Sequence, residues 1–326
     1  MAVTSLPSIQ QALTRYGMTT YFALGLVGNI CNCIMFTRRS YRHQPSSIYF
    51  ISLSIFAIII LTWSFIPIFY GFNHIDPQTQ SLVYCKIRFY GTLVSSQLFR
   101  YTVVLACVDR FFATRTNIRI RSLHSVQIAK KFVLIVCIVW IVASIHIPIF
   151  MELNNGVCGM FGVYKLFFSI YQIIFVAILP PILMSIFSAL TIHSLHRQHA
   201  TQVRFRQRDR YLLRMVISEV LVNILTTIPY SSNLIYSIIA SYVVNKSAQR
   251  LEIESFINFF TQFIVYLMSV VPFYLFIATS KPFRYEFINI IVTCWSKFMP
   301  RQIRITPSNG QVITAALNVR TINDRQ

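Results

Sequence analysis

Acidic residues are scarce in this chain: nine Asp and Glu stand against 29 Lys and Arg among 326 residues. Charge of either sign is thin, at 12% where soluble domains carry about 25%. That shortage excludes an ordinary solvated globular fold. Paired catalytic carboxylates, a His-Glu-x-x-His motif and a Ser/His/Asp set are all missing, so neither an enzyme nor a cofactor is expected. No metal site is expected either: His193, His196 and His199 fall in a basic loop and read as solvated groups. The chain lacks an internal repeat and has only Glu219 as a carboxylate deep in an apolar run, which argues against a transporter. Met1 to Gln11 lacks the basic start of a secretory signal, so the first apolar stretch is expected to stay in the protein.

What is abundant is apolar sequence. Hydrophobic residues make up 55% of the chain and the mean hydropathy is +0.60. About 20 apolar residues cross a hydrocarbon core of about 30 Å, and spans are read near 13–37, 46–72, 86–111, 128–150, 163–192, 211–241 and 254–279. The expected fold is an all-α membrane protein, a seven-transmembrane helix bundle. Residues 1–12 form a short N-terminus, 13–280 the bundle and 299–326 a flexible tail. Between them, 281–298 reads as an amphipathic helix on the cytoplasmic membrane surface, with Pro282 in its first turn and Phe283, Phe287, Ile290, Ile291 and Cys294 on one face. Cys294 is either a palmitoylation site or a packed cysteine.

Charge orients the bundle. With an extracellular N-terminus, 22 of the 29 Lys and Arg fall on the cytosolic side, as the positive-inside rule demands. The one N-glycosylation sequon, Asn245-Lys246-Ser247, then lies in the third outer loop. The net charge of +20 is scattered over short membrane-flanking loops, a pattern for anionic lipids and not for nucleic acid.

Seven spans with an Asp-Arg pair closing the third, Asp109-Arg110 in "LACVDRFFATR", resemble the rhodopsin-like G-protein-coupled receptors. The resemblance runs from about residue 20 to 294 and rests on several landmarks. Gly28-Asn29 matches the first-span motif, Trp140 stands mid-way in the fourth span, and Pro180-Pro181, Pro229 and Pro272 lie in the fifth, sixth and seventh. Cys85 precedes Arg110 by 25 residues, the family's spacing for its outer disulfide, and Cys158 lies in the loop where the partner belongs. The resemblance implies a Cys85–Cys158 bridge, a plasma-membrane location, an extracellular ligand and a heterotrimeric G protein as partners.

It also implies roles for buried charges. An arginine facing lipid is costly, so Arg110 should face the bundle and meet carboxylates. Asp109 is one. Asp209, 20 residues before Pro229, is where many family members hold an ionic lock to the third-span arginine; a solvated loop acid among Arg206, Arg208 and Arg210 is the alternative. Arg100 and Glu219 each lie ten residues outward of that pair, about 15 Å. Direct pairing, Arg100 against backbone carbonyls, and a protonated Glu219 all stay open. Other positions depart from the family pattern: Ala57 replaces the second-span Asp, Thr227 the sixth-span Trp, and Val271 and Leu275 the seventh-span Asn and Tyr, with Tyr274 one place early. Asn29 is therefore expected to lack its usual polar partners, and sodium regulation is not expected.

For the ligand, Thr92 occupies the position of the amine-binding aspartate, which disfavours an amine. Arg88, Thr92, Gln97, Gln172, Tyr230, Asn233 and Gln262 are the pocket candidates. The outer-loop acids Asp76, Glu152, Glu252 and Glu254 either attract a basic peptide or solvate their loops. A neuropeptide is the expected ligand, with a sensory small molecule as the alternative.

Overall fold

The computed structural model describes residues 5–154, 156–200, 207–240, 243 and 245–298, without the side chains of residues 196–200, 207–209, 294 and 296–298. Seven helices among them are long and apolar enough to cross a bilayer: α1 (Leu6–Thr37), α2 (Pro45–Tyr70), α3 (Leu82–Ala113), α4 (Val126–Phe150), α5 (Gly162–Leu195), α6 (Arg210–Ala240) and α7 (Ala248–Val270). The fold is the all-α seven-helix bundle that the apolar runs imply. One short antiparallel hairpin, β1 (Glu152–Asn154) with β2 (Val157–Gly159), joins α4 to α5 and pairs Leu153 with Cys158.

Helix ends differ from the hydropathy reading for local reasons. α1 begins at Leu6 instead of residue 13: Pro7 sits in its first turn, where a missing N–H costs no bond. Thr14 donates to the carbonyl of Gln10 at 2.8 Å, and Thr20 to that of Tyr16 at 2.8 Å, so polar residues are carried inside the helix. α3 begins at Leu82 instead of 86 because the Ser81 hydroxyl accepts from the Tyr84 N–H at 3.4 Å. The seventh run, read as continuous over 254–279, is broken. α7 ends at Val270 and α8 (Pro272–Thr279) restarts at a proline that cannot donate to the preceding turn.

α3 is the central helix, packed against α2, α4, α5 and α6, while α1 packs on α2 and α7. α4 shows the opposite pattern. Trp140 is buried between Tyr101 and Phe175, whereas Leu134, Ile135, Ile138, Val139 and Val142 are exposed, a surface suited to acyl chains. At the end of the bundle carrying Asp109, Phe36, Phe50, Phe276 and Phe283 form a fully buried ring cluster with centroids 4.9–5.9 Å apart.

Close approach requires glycine at residue 91 in α3. A Cβ there would overlap the indole of Trp63, whose Nε1 donates to the Arg88 carbonyl at 3.0 Å. Gly91→Ala should therefore cost about 1–3 kcal/mol through overpacking, read as a lower unfolding temperature of the protein in nanodiscs. An unchanged temperature would show that the indole moves aside freely.

The helix α9 (Lys281–Phe298) crosses a boundary between two compact units, Met1–Glu286 and Phe287–Gln326. In the first unit Phe283 is buried, on the face read from the sequence. In the second, Ile288, Ile291, Val292 and Trp295 are exposed at three- and four-residue steps. Of the expected face only Ile291 belongs to that stripe. The side chain of Cys294 and the tail 299–326 lie outside the described residues.

Candidate functional site

The Asp109-Arg110 pair closes α3, and both side chains are buried, at 2% and 4% exposure. Asp109 Oδ2 accepts from Arg110 Nη2 at 2.8 Å and from the Ser46 hydroxyl at 3.0 Å; Oδ1 lies 2.7 Å from His124 Nδ1. One carboxylate therefore gathers α2, α3 and the α3–α4 connection. Ser46 follows Pro45, which starts α2, so the end of that helix is where its hydroxyl is available. Asp209 stands on the same helix as α6, which runs from Gln207, but its side chain lies outside the described residues.

At the opposite end, Cys85 at the start of α3 is bonded to Cys158 of β2, with their Cα atoms 6.0 Å apart. The bridge ties the hairpin to α3. Asn245 lies between α6 and α7, is exposed, and has φ +63°, a conformation asparagine tolerates.

Between these ends lies a cavity of about 460 Å³. Six of the seven ligand candidates line it: Arg88, Thr92, Gln97, Gln172, Tyr230 and Gln262. Asn233 does not. Its amide donates to Asn258 Oδ1 and to Thr261 Oγ1, joining α6 to α7. Arg88 at the mouth is already engaged, its Nη1 donating to Asp76 Oδ2 at 3.3 Å and to Gln78 Oε1.

Arg100 is the cavity's second cation, and the structure does not pair it with Glu219. Its Nη1 donates only to the Ser96 carbonyl at 3.3 Å, and its Nε has no partner. Both carboxyl oxygens of Glu219 are buried without a hydrogen-bond partner. Equal axial steps put two residues at one depth, but ten residues also turn each helix by about 280°, and the side chains need not converge. Of the three open readings, Arg100 takes the backbone carbonyl.

Residues 28–274 match the family model of the 7 transmembrane receptors of the rhodopsin family. The chain belongs to this family. Its members are receptors, not enzymes, and this receptor is a multi-pass membrane protein. It is similar to lysophosphatidic acid receptor 4 of Homo sapiens and of Mus musculus, 25% identical over 239 residues in each case. That alignment covers 68% of the receptor and 62% of either relative. A shorter similarity, 25% over 139 residues, is to the neuromedin U receptor homolog nmur-2 of Caenorhabditis elegans, covering 42% of the receptor and 34% of that protein.

Asn29, expected to lack its usual polar partners, donates its amide to the backbone carbonyls of Gly25 and Ser269, each at 2.8 Å. The carbonyl in α7 lies close to the helix break, which replaces the side-chain partners lost with Ala57 and Val271. Tyr274 uses its hydroxyl on the Leu24 carbonyl at 3.0 Å, so it braces α1. Ala57 and Thr227 are both buried.

Sequence reasoning missed part of the cavity. Tyr266 and Ser64 are polar residues inside spans and could have been found by the same rule that selected Gln262. Gln78 comes from a loop and carries no such signal. The wide helical turn Ile173–Ile178, next to Gln172 and contributing Val176 to the wall, has no pattern in the sequence either. Among the described residues no group of three or more His, Cys, Asp or Glu is placed to hold a metal; the side chains of His196 and His199 lie outside them.

Proposed function

We propose that this receptor sits in the plasma membrane with its disulfide end outside, takes a ligand into the cavity and activates a heterotrimeric G protein at the Asp109-Arg110 end. The observation that carries this reading is the cavity itself. It reaches Arg100, and Arg110 stands ten residues further along the same helix, about 15 Å away. A ligand in the cavity therefore bears on α3, α5, α6 and α7 together, the helices whose inner ends would have to part. Orientation is supported by the sequence, in which 22 of the 29 Lys and Arg flank the spans on the side read as cytosolic, and by the exposed Asn245 between α6 and α7. The exposed stripe Ile288, Ile291, Val292 and Trp295 suits a helix lying on the inner leaflet, with residues 299–326 as the cytoplasmic tail.

The names of the relatives suggest two ligand classes. The neuromedin U receptor homolog supports a neuropeptide, and the lysophosphatidic acid receptors support a lipid acid. A strongly basic peptide is disfavoured, because two outer acids are occupied. Asp76 holds Arg88, and Glu254 accepts from Arg250 at 2.9 Å and from Lys246.

Activation is a shift between two states, driven only by the ligand's differential affinity for them. The resting state is held by Arg110 against Asp109 and, in this reading, Asp209 on α6. Purified receptor in nanodiscs should catalyse nucleotide exchange on a G protein when presented with peptide or lipid-acid panels. No exchange with any stimulant, G-protein subtype by subtype, would remove the coupling. Asp209→Ala should raise the ligand-independent exchange rate several-fold, since about 1 kcal/mol shifts a two-state ratio about fivefold. A silent variant at normal surface expression counts against the lock.

A further inference from the structure

We infer that Arg100 anchors the acid group of the ligand, and that the ligand is an amphiphilic organic anion, a carboxylate or a phosphate on an apolar body. The inference rests on the reading of the cavity as the ligand site. A guanidinium in a bundle interior is normally compensated by a carboxylate or a full set of acceptors. Arg100 is 4% exposed, yet it makes one long hydrogen bond and leaves Nε without a partner. Among the described residues no Asp or Glu lines the cavity, and the buried Glu219 makes no bond to it.

The two cations of the cavity are not equivalent. Arg88 near the mouth is paired with Asp76, whereas Arg100 forms no ion pair among the described residues. They are twelve residues apart on α3, about 18 Å, so the uncompensated charge lies deep. Tyr230 lines the same cavity as Arg100, and its hydroxyl can donate to an anion there. The wall around them is mixed, with Leu93, Val176, Phe259 and Val265 as apolar surface beside Thr92 and Gln97. A deep cation selects an acid head and rejects an amine, and the apolar part of the wall gives a greasy body its contact. Burying an anion there supplies the counter-charge that no described residue provides.

The test uses full-length receptor in nanodiscs, heated with phenylbutyrate, phenylbutyl phosphate, phenylbutanol or phenylbutylammonium, one body with four heads. The two acids should raise the unfolding temperature saturably, and the alcohol and amine should not. Arg100→Met should weaken the acids by about 10- to 100-fold, the worth of one hydrogen bond to a charged group. It should also raise the ligand-free unfolding temperature, because it removes an uncompensated buried charge. Arg100→Lys should keep a reduced acid response. Decanoate and N-acetylleucylphenylalanine then separate an acyl-chain acid from a peptide terminus as the source, the stronger stabiliser naming it. Equal shifts from all four heads, a preference for the ammonium, an acid response surviving in Arg100→Met, or no acid response up to the solubility limit each overturn the inference. So does a lower ligand-free temperature in Arg100→Met, which would mean that the chain itself satisfies the guanidinium. G-protein activation is not read here, so a failure of coupling and a failure of anion binding remain separate results.

Discussion

Cys85→Ser, or Cys158→Ser, should lower the stability of the receptor by about 4 kcal/mol, the chain-entropy value for closing a loop of this length. The bridge spans 73 residues, from the start of α3 to β2, across α4. Without it the denatured chain gains freedom while the folded bundle keeps its helices. The local consequence is as large. The hairpin packs on α3 and on the Pro77–Thr79 turn, and that turn presents Asp76 and Gln78 to Arg88. A hairpin released from α3 loosens the mouth of the cavity. Unfolding temperatures in nanodiscs should fall by several degrees for either single variant, and the double variant should equal the singles, since one bond is lost in each case. Additive losses would mean that the two cysteines act through packing, not through their bond. Reductant should reproduce the effect in the wild-type chain and leave the variants unchanged.

Asp109→Ala should be comparably damaging, by about 3–5 kcal/mol, because it removes one side of a buried ion pair. Arg110, Ser46 and His124 all lose their shared acceptor. Asp109→Asn separates fold from function. The amide keeps the shape and can still accept from Ser46, but it carries no charge to hold Arg110. This variant should retain most of the unfolding temperature while its ligand-independent nucleotide exchange rises several-fold. The paired readout is decisive: Asp109→Ala as stable as wild type would show that the carboxylate holds nothing together, and Asp109→Asn with an unchanged basal rate would show that it does not restrain Arg110.

The contrast between Arg110 and Arg100 shows what was readable along the chain and what was not. Arg110 has Asp109 as its neighbour in sequence, so its partner could be named without a structure. Arg100 has no neighbouring acid, and axial counting alone suggested Glu219. Asn233 shows the same limit: it was expected in the cavity and instead ties α6 to α7. Asn29 was expected to lack its usual polar partners, and which backbone carbonyls it uses instead, one of them in α7, was not readable. Position along a helix could be counted, and direction could not.

Seven helices, the disulfide cysteines near one end and the buried Asp-Arg pair at the other follow from the order of residues, because bilayer thickness converts apolar run length directly into a helix. Local rules account for the helix starts at Leu6 and Leu82 once caps and prolines are weighed. Which polar groups meet inside the bundle was decided only in three dimensions. Hydropathy measures position along a helix, whereas contact between helices depends on rotation about each axis and on close approaches such as Gly91 against Trp63. Those are set by packing all seven at once, and no single span carries that information.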